Sequence, residues 1–204
     1  MRNITLTLIF LISLSCKSQS DLTLDQLIER DKADLEQLVS DQKLSGKTTE
    51  LNILELEFEQ TKKQVDSILK KQSDFESVND NTKEFENYGI NWELSSDMEI
   101  PTIIRTDFHK DKLYELELVF LTNENNGELG FELLRKLLIE KYGKADLKAY
   151  SILSKVEGNK PFTYYWIEKN RKVMAYRMTE YCYLRISDTS VDYDKLSDIF
   201  GNRK

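Results

Sequence analysis

The sequence predicts an α+β fold, with antiparallel sheet and helices packed on one face. Apolar and polar residues alternate with a period of two in most candidate strands, whereas two internal segments change to the 3.6-residue period of a helix. The strands come in runs between single helices, which is typical of antiparallel sheet and not of parallel βαβ units. The repeated order of helix then strands indicates two diverged helix-then-meander halves, at about 51–121 and 128–200, within one domain at 47–204.

The first helix begins at a capping box, in which Thr23 and Gln26 lie three residues apart. Apolar residues at helical spacing follow, and they predict an amphipathic N-terminal helix within residues 23–46. Residues 51–58 then alternate between apolar and acidic side chains, which predicts a strand with one solvated side.

A second capping box, Thr61 with Gln64, predicts a helix that runs to about Lys71. Leucines from Leu129 onward predict another helix, ending at Gly143 with an αL cap. A short closing helix is expected near residues 191–200. The predicted strands of the two meanders are Ile90–Leu94, Thr102–Phe108, Leu113–Leu121, Ala149–Val156, Phe162–Glu168, Lys172–Met178 and Tyr181–Ile186.

Residues 1–15 have the form of a cleaved export signal. Arg2 supplies a positive start, and the apolar run from Ile4 to Leu14 is shorter than the ~20 residues that a membrane-spanning helix needs. Ser13 and Ser15 are small residues at the positions that an ordinary signal peptidase requires. The leader alone therefore predicts export.

Leu14-Ser15-Cys16 resembles the lipobox of bacterial lipoproteins, although Ser13 stands where that family usually has leucine. The resemblance implies cleavage before Cys16, fatty acids such as palmitate on Cys16, and a lipidated tether at residues 16–22. Lys17 is not the aspartate that signals inner-membrane retention, so the resemblance implies the outer membrane of a Gram-negative bacterium. Since each buried methylene contributes about 0.8 kcal/mol, several acyl chains would make release from the membrane very slow.

The charge balance excludes nucleic acid as a partner. The chain has 36 acidic and 29 basic residues, a net charge of −7, and the leader removes only Arg2 from this balance. Binding to nucleic acid depends on Lys and Arg that neutralise phosphates. The same excess argues against electrostatic adhesion to anionic lipid.

The cysteine and histidine counts limit the chemistry. Lipidation of Cys16 leaves Cys182 without a disulfide partner, whereas an unmodified Cys16 would leave a bridge to Cys182 open. His109 is the single histidine, which removes most zinc sites and most Ser-His or Cys-His catalytic schemes. We predict no metal and no cofactor.

Two patches resemble the helix–sheet repeats of β-lactamase-inhibitor-protein-like and outer-membrane-assembly small lipoproteins. One runs from Phe58 to Leu69, with Gln60 and Lys70 in place of the family's glycines. The other runs from Lys141 to Ala145, with Ala145 in place of a proline. The resemblance implies a protein-binding envelope module without an active site.

The densest aromatic region offers a candidate binding surface at Tyr164, Trp166 and Tyr176. Alternation places Tyr164 and Trp166 on one face of a strand, where open rings would suit a sugar or a partner protein. Cross-strand core packing is the alternative interpretation. Cys182 is expected to be a small buried hydrophobe.

Other polar groups are expected to be solvated. His109 is predicted at an exposed turn, Asp188, Asp192 and Asp194 in a loop that lacks a calcium motif, and Glu115 and Glu117 on a solvated sheet face, like Glu55 and Glu57. A non-catalytic envelope lipoprotein, acting as a scaffold or protein-binding module, is the function predicted. The alternatives are a carbohydrate- or ligand-binding module and an enzyme that uses two carboxylates.

Overall fold

A computed structural model describes residues 22–43, 51, 53–74, 88–123, 125–150, 162–178 and 180–191. Its main elements in chain order are α1 (Leu24–Lys43), α2 (Lys62–Gln72), β1 (Tyr88–Ser95), β2 (Met98–His109), β3 (Lys112–Leu121), α3 (Gly127–Tyr142), β4 (Leu147–Tyr150), β5 (Phe162–Glu168), β6 (Arg171–Met178) and β7 (Tyr181–Asp188). The predicted α+β class is confirmed. The leader, residues 16–21 of the tether and the part of the predicted closing helix beyond Val191 lie outside the described residues.

The strands form one seven-stranded antiparallel sheet in the order β1-β2-β3-β7-β6-β5-β4. Each meander follows a helix: α2 precedes β1 to β3, and α3 precedes β4 to β7. The last strands of the two meanders, β3 and β7, pair at the centre of the sheet. This pairing brings side chains more than 60 residues apart into direct contact across the strands.

Alternation divides the sheet into two faces. On one face, residues of β3 meet residues of β7 in three buried pairs: Leu116–Ile186, Leu118–Leu184 and Phe120–Cys182. Helix α2 adds Val65 and Leu69 to this core cluster, and α3 adds Leu134 and Leu138. We call this side the helix face. The open face is the opposite side, which carries the intervening residues of β3 and β7.

The predicted strand at residues 51–58 is wrong. Leu54 and Glu55 have φ angles of 56° and 58°, and the backbone N–H of Leu56 donates to the Ile53 carbonyl at 2.9 Å, so the chain reverses there in a tight turn. The apolar side chains that suggested a strand are nevertheless buried: Leu51, Ile53, Leu56 and Phe58. These buried positions are two residues apart within each arm of the turn and three apart across it, so each arm reproduces the alternation of a strand.

The helix ends follow from local chemistry. Thr61 caps α2 in the predicted capping box, with reciprocal bonds between Thr61 and Gln64, which confirms that prediction. Gly143 ends α3, but with φ 82° and ψ −165° it does not adopt the αL conformation expected. That combination belongs to a backbone region that is essentially restricted to glycine, so the sequence identifies the residue although not its geometry.

Acidic side chains from outside the sheet bind the backbone of both outer strands, β1 and β4. Asp31 of α1 accepts a 2.7 Å hydrogen bond from the Tyr150 backbone N–H on β4, and Asp74 accepts one at 2.9 Å from Asn91 on β1. A free strand edge is a template for pairing with another chain, and these carboxylates occupy part of each edge. Both outer edges of the sheet are therefore partly blocked against pairing with another strand.

Candidate functional site

Trp166 lies inside the core and not on an open surface. Its side chain is 4% exposed on the helix face, opposite Val173 on β6, and its indole N–H donates to the Gly143 carbonyl at 2.9 Å. A buried indole normally needs such an acceptor. The structure thus places Trp166 as the core-packing interpretation describes, and it cannot share an open groove with Tyr164.

Tyr164 is half-buried between cationic and aromatic neighbours. The guanidinium carbon of Arg135 on α3 lies 5.3 Å from its ring centroid, and the Phe131 ring lies 6.0 Å away. Lys148 approaches from β4 at 5.7 Å. Tyr164 therefore fills the seam between α3 and the sheet and presents only part of its ring to solvent.

Tyr176, the third candidate, lies on the open face. It is 8% exposed and stacks on Tyr183 of β7, with ring centroids 4.5 Å apart and planes 3° from parallel. Burial raises the pKa of Tyr176 well above its ordinary value, and Glu117 nearby raises it further. The three predicted site residues are thus split between two faces and do not form one aromatic surface.

The open face has an ionic cluster at its centre. Glu117 on β3 faces Arg105 on β2 and Arg185 on β7. Arg185 donates to Glu117 Oε1 from Nε at 3.1 Å and from a terminal nitrogen at 2.6 Å, and Arg105 donates to Oε2 at 3.3 Å. Glu115 adds a contact of 3.6 Å to Arg185. One carboxylate therefore holds two guanidinium groups side by side.

The two carboxylates of the cluster stabilise the charged form of Arg185. Burial alone would lower the pKa of Arg185, but the negative charges of Glu115 and Glu117 outweigh it and raise that pKa. The prediction that Glu115 and Glu117 lie on a solvated sheet face is wrong for Glu117, which is 7% exposed. A carboxylate this far from water needs partners, and the two arginines supply them.

Apolar and aromatic side chains surround the cluster. Arg105, Glu117 and Arg185 lie side by side across β2, β3 and β7, and Met174 on β6 continues this row. The next row on the same face consists of Ile103, Val119, Tyr183 and Tyr176. We call Ile103, Arg105, Glu117, Met174, Tyr183 and Arg185 together the Arg–Tyr face. Helices α2 and α3 pack on the other side of the sheet, and Arg105 and Arg185 keep side-chain exposures of 46% and 35%.

The remaining polar candidates do not converge. His109 is half-buried at the end of β2, so its prediction as an exposed turn residue is wrong. Asp188 ends β7 and is 4% exposed, so its prediction as a solvated loop residue is wrong; it accepts hydrogen bonds from the backbone N–H and hydroxyl of Ser190. Asp192 and Asp194 lie outside the described residues. Within the described ranges, no group of three His, Cys, Asp or Glu is placed to hold a metal ion.

Cys182 is a free, fully buried thiol whose Sγ donates to the Gly127 carbonyl at 3.4 Å, as expected of a small hydrophobe. Burial raises its pKa to about 11, against about 8.5 in an unfolded chain. The folded state thus favours the protonated thiol, and this contribution is constant below about pH 8.5 and lost as the pH rises toward 11.

We expect the free energy of unfolding to fall by about 2 kcal/mol between pH 8.5 and pH 11 through this group. Urea unfolding at both pH values measures the fall. Cys182→Ala should lose this part of the fall and keep the part due to Tyr165 and Tyr176, whose pKa values burial also raises. Equal pH slopes in the wild type and Cys182→Ala would contradict the prediction.

Comparisons with protein-family models, with curated proteins and with solved structures give no match to this chain. The Arg–Tyr face and the leader are therefore the features of this chain that bear on its function. Cys16 lies outside the described residues, and none of the described helices is long and apolar enough to cross a membrane.

Proposed function

We propose that this chain is a non-catalytic lipoprotein of the bacterial envelope. Fatty acids on Cys16 anchor it to the membrane, and its sheet binds a partner protein. The observation that carries the proposal is the composition of the Arg–Tyr face. Arginine, tyrosine and methionine are enriched at protein interfaces, where arginine and tyrosine are also among the residues that contribute most binding energy, whereas lysine and glutamate are depleted. Here two arginines, a stacked tyrosine pair and Met174 meet at the centre of the sheet face opposite α2 and α3.

The ionic cluster supports this proposal because it orders side chains that would otherwise be flexible. An arginine that must be immobilised on binding costs about 0.5 to 1.5 kcal/mol of conformational entropy. Glu117 holds both guanidinium groups before any partner arrives, and Tyr176 holds the ring of Tyr183 by stacking. A pre-organised face of this kind suits recognition by complementarity of shape and charge.

The arrangement of the chain fits a tethered binding module. Helix α1 has 20 residues, about 30 Å when helical; it follows the proposed tether at 16–22 in the sequence and contacts β4 and β5 of the sheet. The two helix-then-meander halves are the products of a diverged duplication in this proposal, and their last strands meet where the Arg–Tyr face lies. Duplication would explain why that face is central.

Two experiments in the bacterium that makes the protein test the proposal. Cys16→Ala should abolish labelling by radioactive palmitate and release the protein from the membrane fraction; unchanged labelling would refute attachment at that sulfur. A benzoyl-phenylalanine photo-crosslinker placed at Tyr183 should give a discrete adduct with an envelope protein. The same group at Ile139, which is 43% exposed on α3, serves as the control. Equal adducts at both positions, or none at Tyr183, would refute the binding face.

A further inference from the structure

We infer that the Arg–Tyr face takes a carboxylate side chain, presented by a partner protein between apolar residues, and that Arg105 is the group that binds it. The inference rests on the proposed function and names the chemistry of the partner. A guanidinium has five N–H donors. Toward the described residues Arg105 uses one of them, in its 3.3 Å bond to Glu117, and its side chain remains 46% exposed.

The other members of the cluster are more fully engaged. Arg185 gives two donors to Glu117 and a further contact to Glu115, so it has less to offer a ligand. The side chains of Glu117 and Glu115 are only 9% and 20% exposed. A group that approaches the open face therefore meets guanidinium before it meets carboxylate. Arg105 is the most exposed charged group of this formally neutral cluster, and a guanidinium in that position suits an anion.

The surroundings favour a carboxylate on a peptide over a phosphate. Glu115 and Glu117 already balance the formal charges of Arg105 and Arg185. A bound phosphate dianion would therefore add two uncompensated negative charges, whereas a carboxylate would add one. Ile103 and Tyr183 lie in the adjacent row and are only half-buried, so they offer apolar contact to the residues beside the acidic group. A lipid headgroup or free phosphate has no matching apolar part.

The acidic chain does not prevent this contact. With a net charge of −7, the protein repels an acidic partner at long range, but charges farther apart than about 8 Å are screened at physiological ionic strength. The attraction at Arg105 operates at hydrogen-bond distance, where two charged groups form the strongest kind of hydrogen bond. Binding should therefore be governed by contacts at this face and should weaken as salt is added.

Arginine side-chain NMR of the full chain in detergent tests the inference directly. Acetyl-Leu-Glu-Leu-amide should shift the Arg105 Nε–H signal in a saturable manner. The matched peptide with glutamine should bind at least five-fold more weakly, as should inorganic phosphate. Followed through the Arg185 Nε–H signal, which all these variants keep, Arg105→Gln should weaken binding of the glutamate peptide at least five-fold, whereas Arg135→Gln, the same charge change on α3, should leave it unchanged. Equal binding of the two peptides, tighter binding of phosphate, or no saturable shift would overturn the inference.

A second arm separates this inference from the proposed function. With the photo-crosslinker at Ile103, Arg105→Gln should reduce the in-cell adduct at least five-fold, and Arg135→Gln should not. If the adduct persists in Arg105→Gln, the sheet face binds a partner but Arg105 is not its anchor, and the inference falls alone. If no adduct forms in any background, both the inference and the proposed function fall.

Discussion

Trp166→Ala should lower the free energy of unfolding by about 4 kcal/mol, the range found for removal of a buried tryptophan or phenylalanine. The substitution empties a core position on the helix face and leaves the Gly143 carbonyl without its 2.9 Å donor. For a domain of this size, the corresponding fall in Tm is roughly 10 °C. Urea or thermal unfolding followed by circular dichroism measures the change.

Two further variants show what the lost energy represents. Trp166→Phe keeps most of the ring but not the indole N–H, and we expect a loss of about 1 to 2 kcal/mol. Tyr181→Ala removes a ring that is 37% exposed and should cost about 1 kcal/mol or less. If Trp166→Ala unfolded like the wild type while weakening the binding of an oligosaccharide, Trp166 would be a ligand-binding residue and not part of the core.

The sequence predicts most of the elements because their periods are unambiguous. The bounds of β5 were predicted without error, from Phe162 to Glu168, and α2 begins at its capping box, since both signals are local. The same local logic fails at residues 51–58, where the alternating pattern continues through a turn at Leu54 and Glu55. Periodicity reports which residues are buried, and it does not report whether the backbone between them is straight.

The faces of the sheet could not be predicted in the same way. Trp166 and Tyr176 are both aromatic residues on neighbouring strands, but the register of β5 against β6 pairs Trp166 with Val173 and leaves Tyr176 on the opposite side. A change of one residue in that register would reverse the assignment. Nothing in a single sequence fixes it, because the register depends on the β5–β6 turn at Lys169 and Asn170 and on packing under α3.

The ionic cluster was missed for a related reason. Glu117 and Arg185 are separated by 68 positions, and they become neighbours only because β3 pairs with β7. The signal available in the sequence is weak: Arg105 and Arg185 each interrupt an apolar strand, where an unpaired charge would be costly. Such interruptions indicate that a partner of opposite charge exists, without indicating which strand provides it.

Glu117→Ala should lower the free energy of unfolding by about 2 kcal/mol. Breaking a fully buried ion pair costs roughly 3 to 5 kcal/mol, but here the arginines keep side-chain exposures of 46% and 35% and water can solvate them in part. Glu117→Gln retains an oxygen that accepts from Arg185, so it should cost about half as much. Chemical denaturation of both variants at low and high salt measures these losses.

The decisive comparison is a triple variant in which Glu117 becomes leucine and both Arg105 and Arg185 become methionine. Replacing a whole ion-pair cluster by apolar residues of similar volume is often neutral for stability or increases it. We therefore expect the triple variant to unfold within about 1 kcal/mol of the wild type while it loses the photo-crosslinked adduct at Tyr183. That outcome would mean that the sheet does not need the charges for its stability, and that their use is recognition. A triple variant as unstable as Glu117→Ala would instead make the cluster a requirement of the fold.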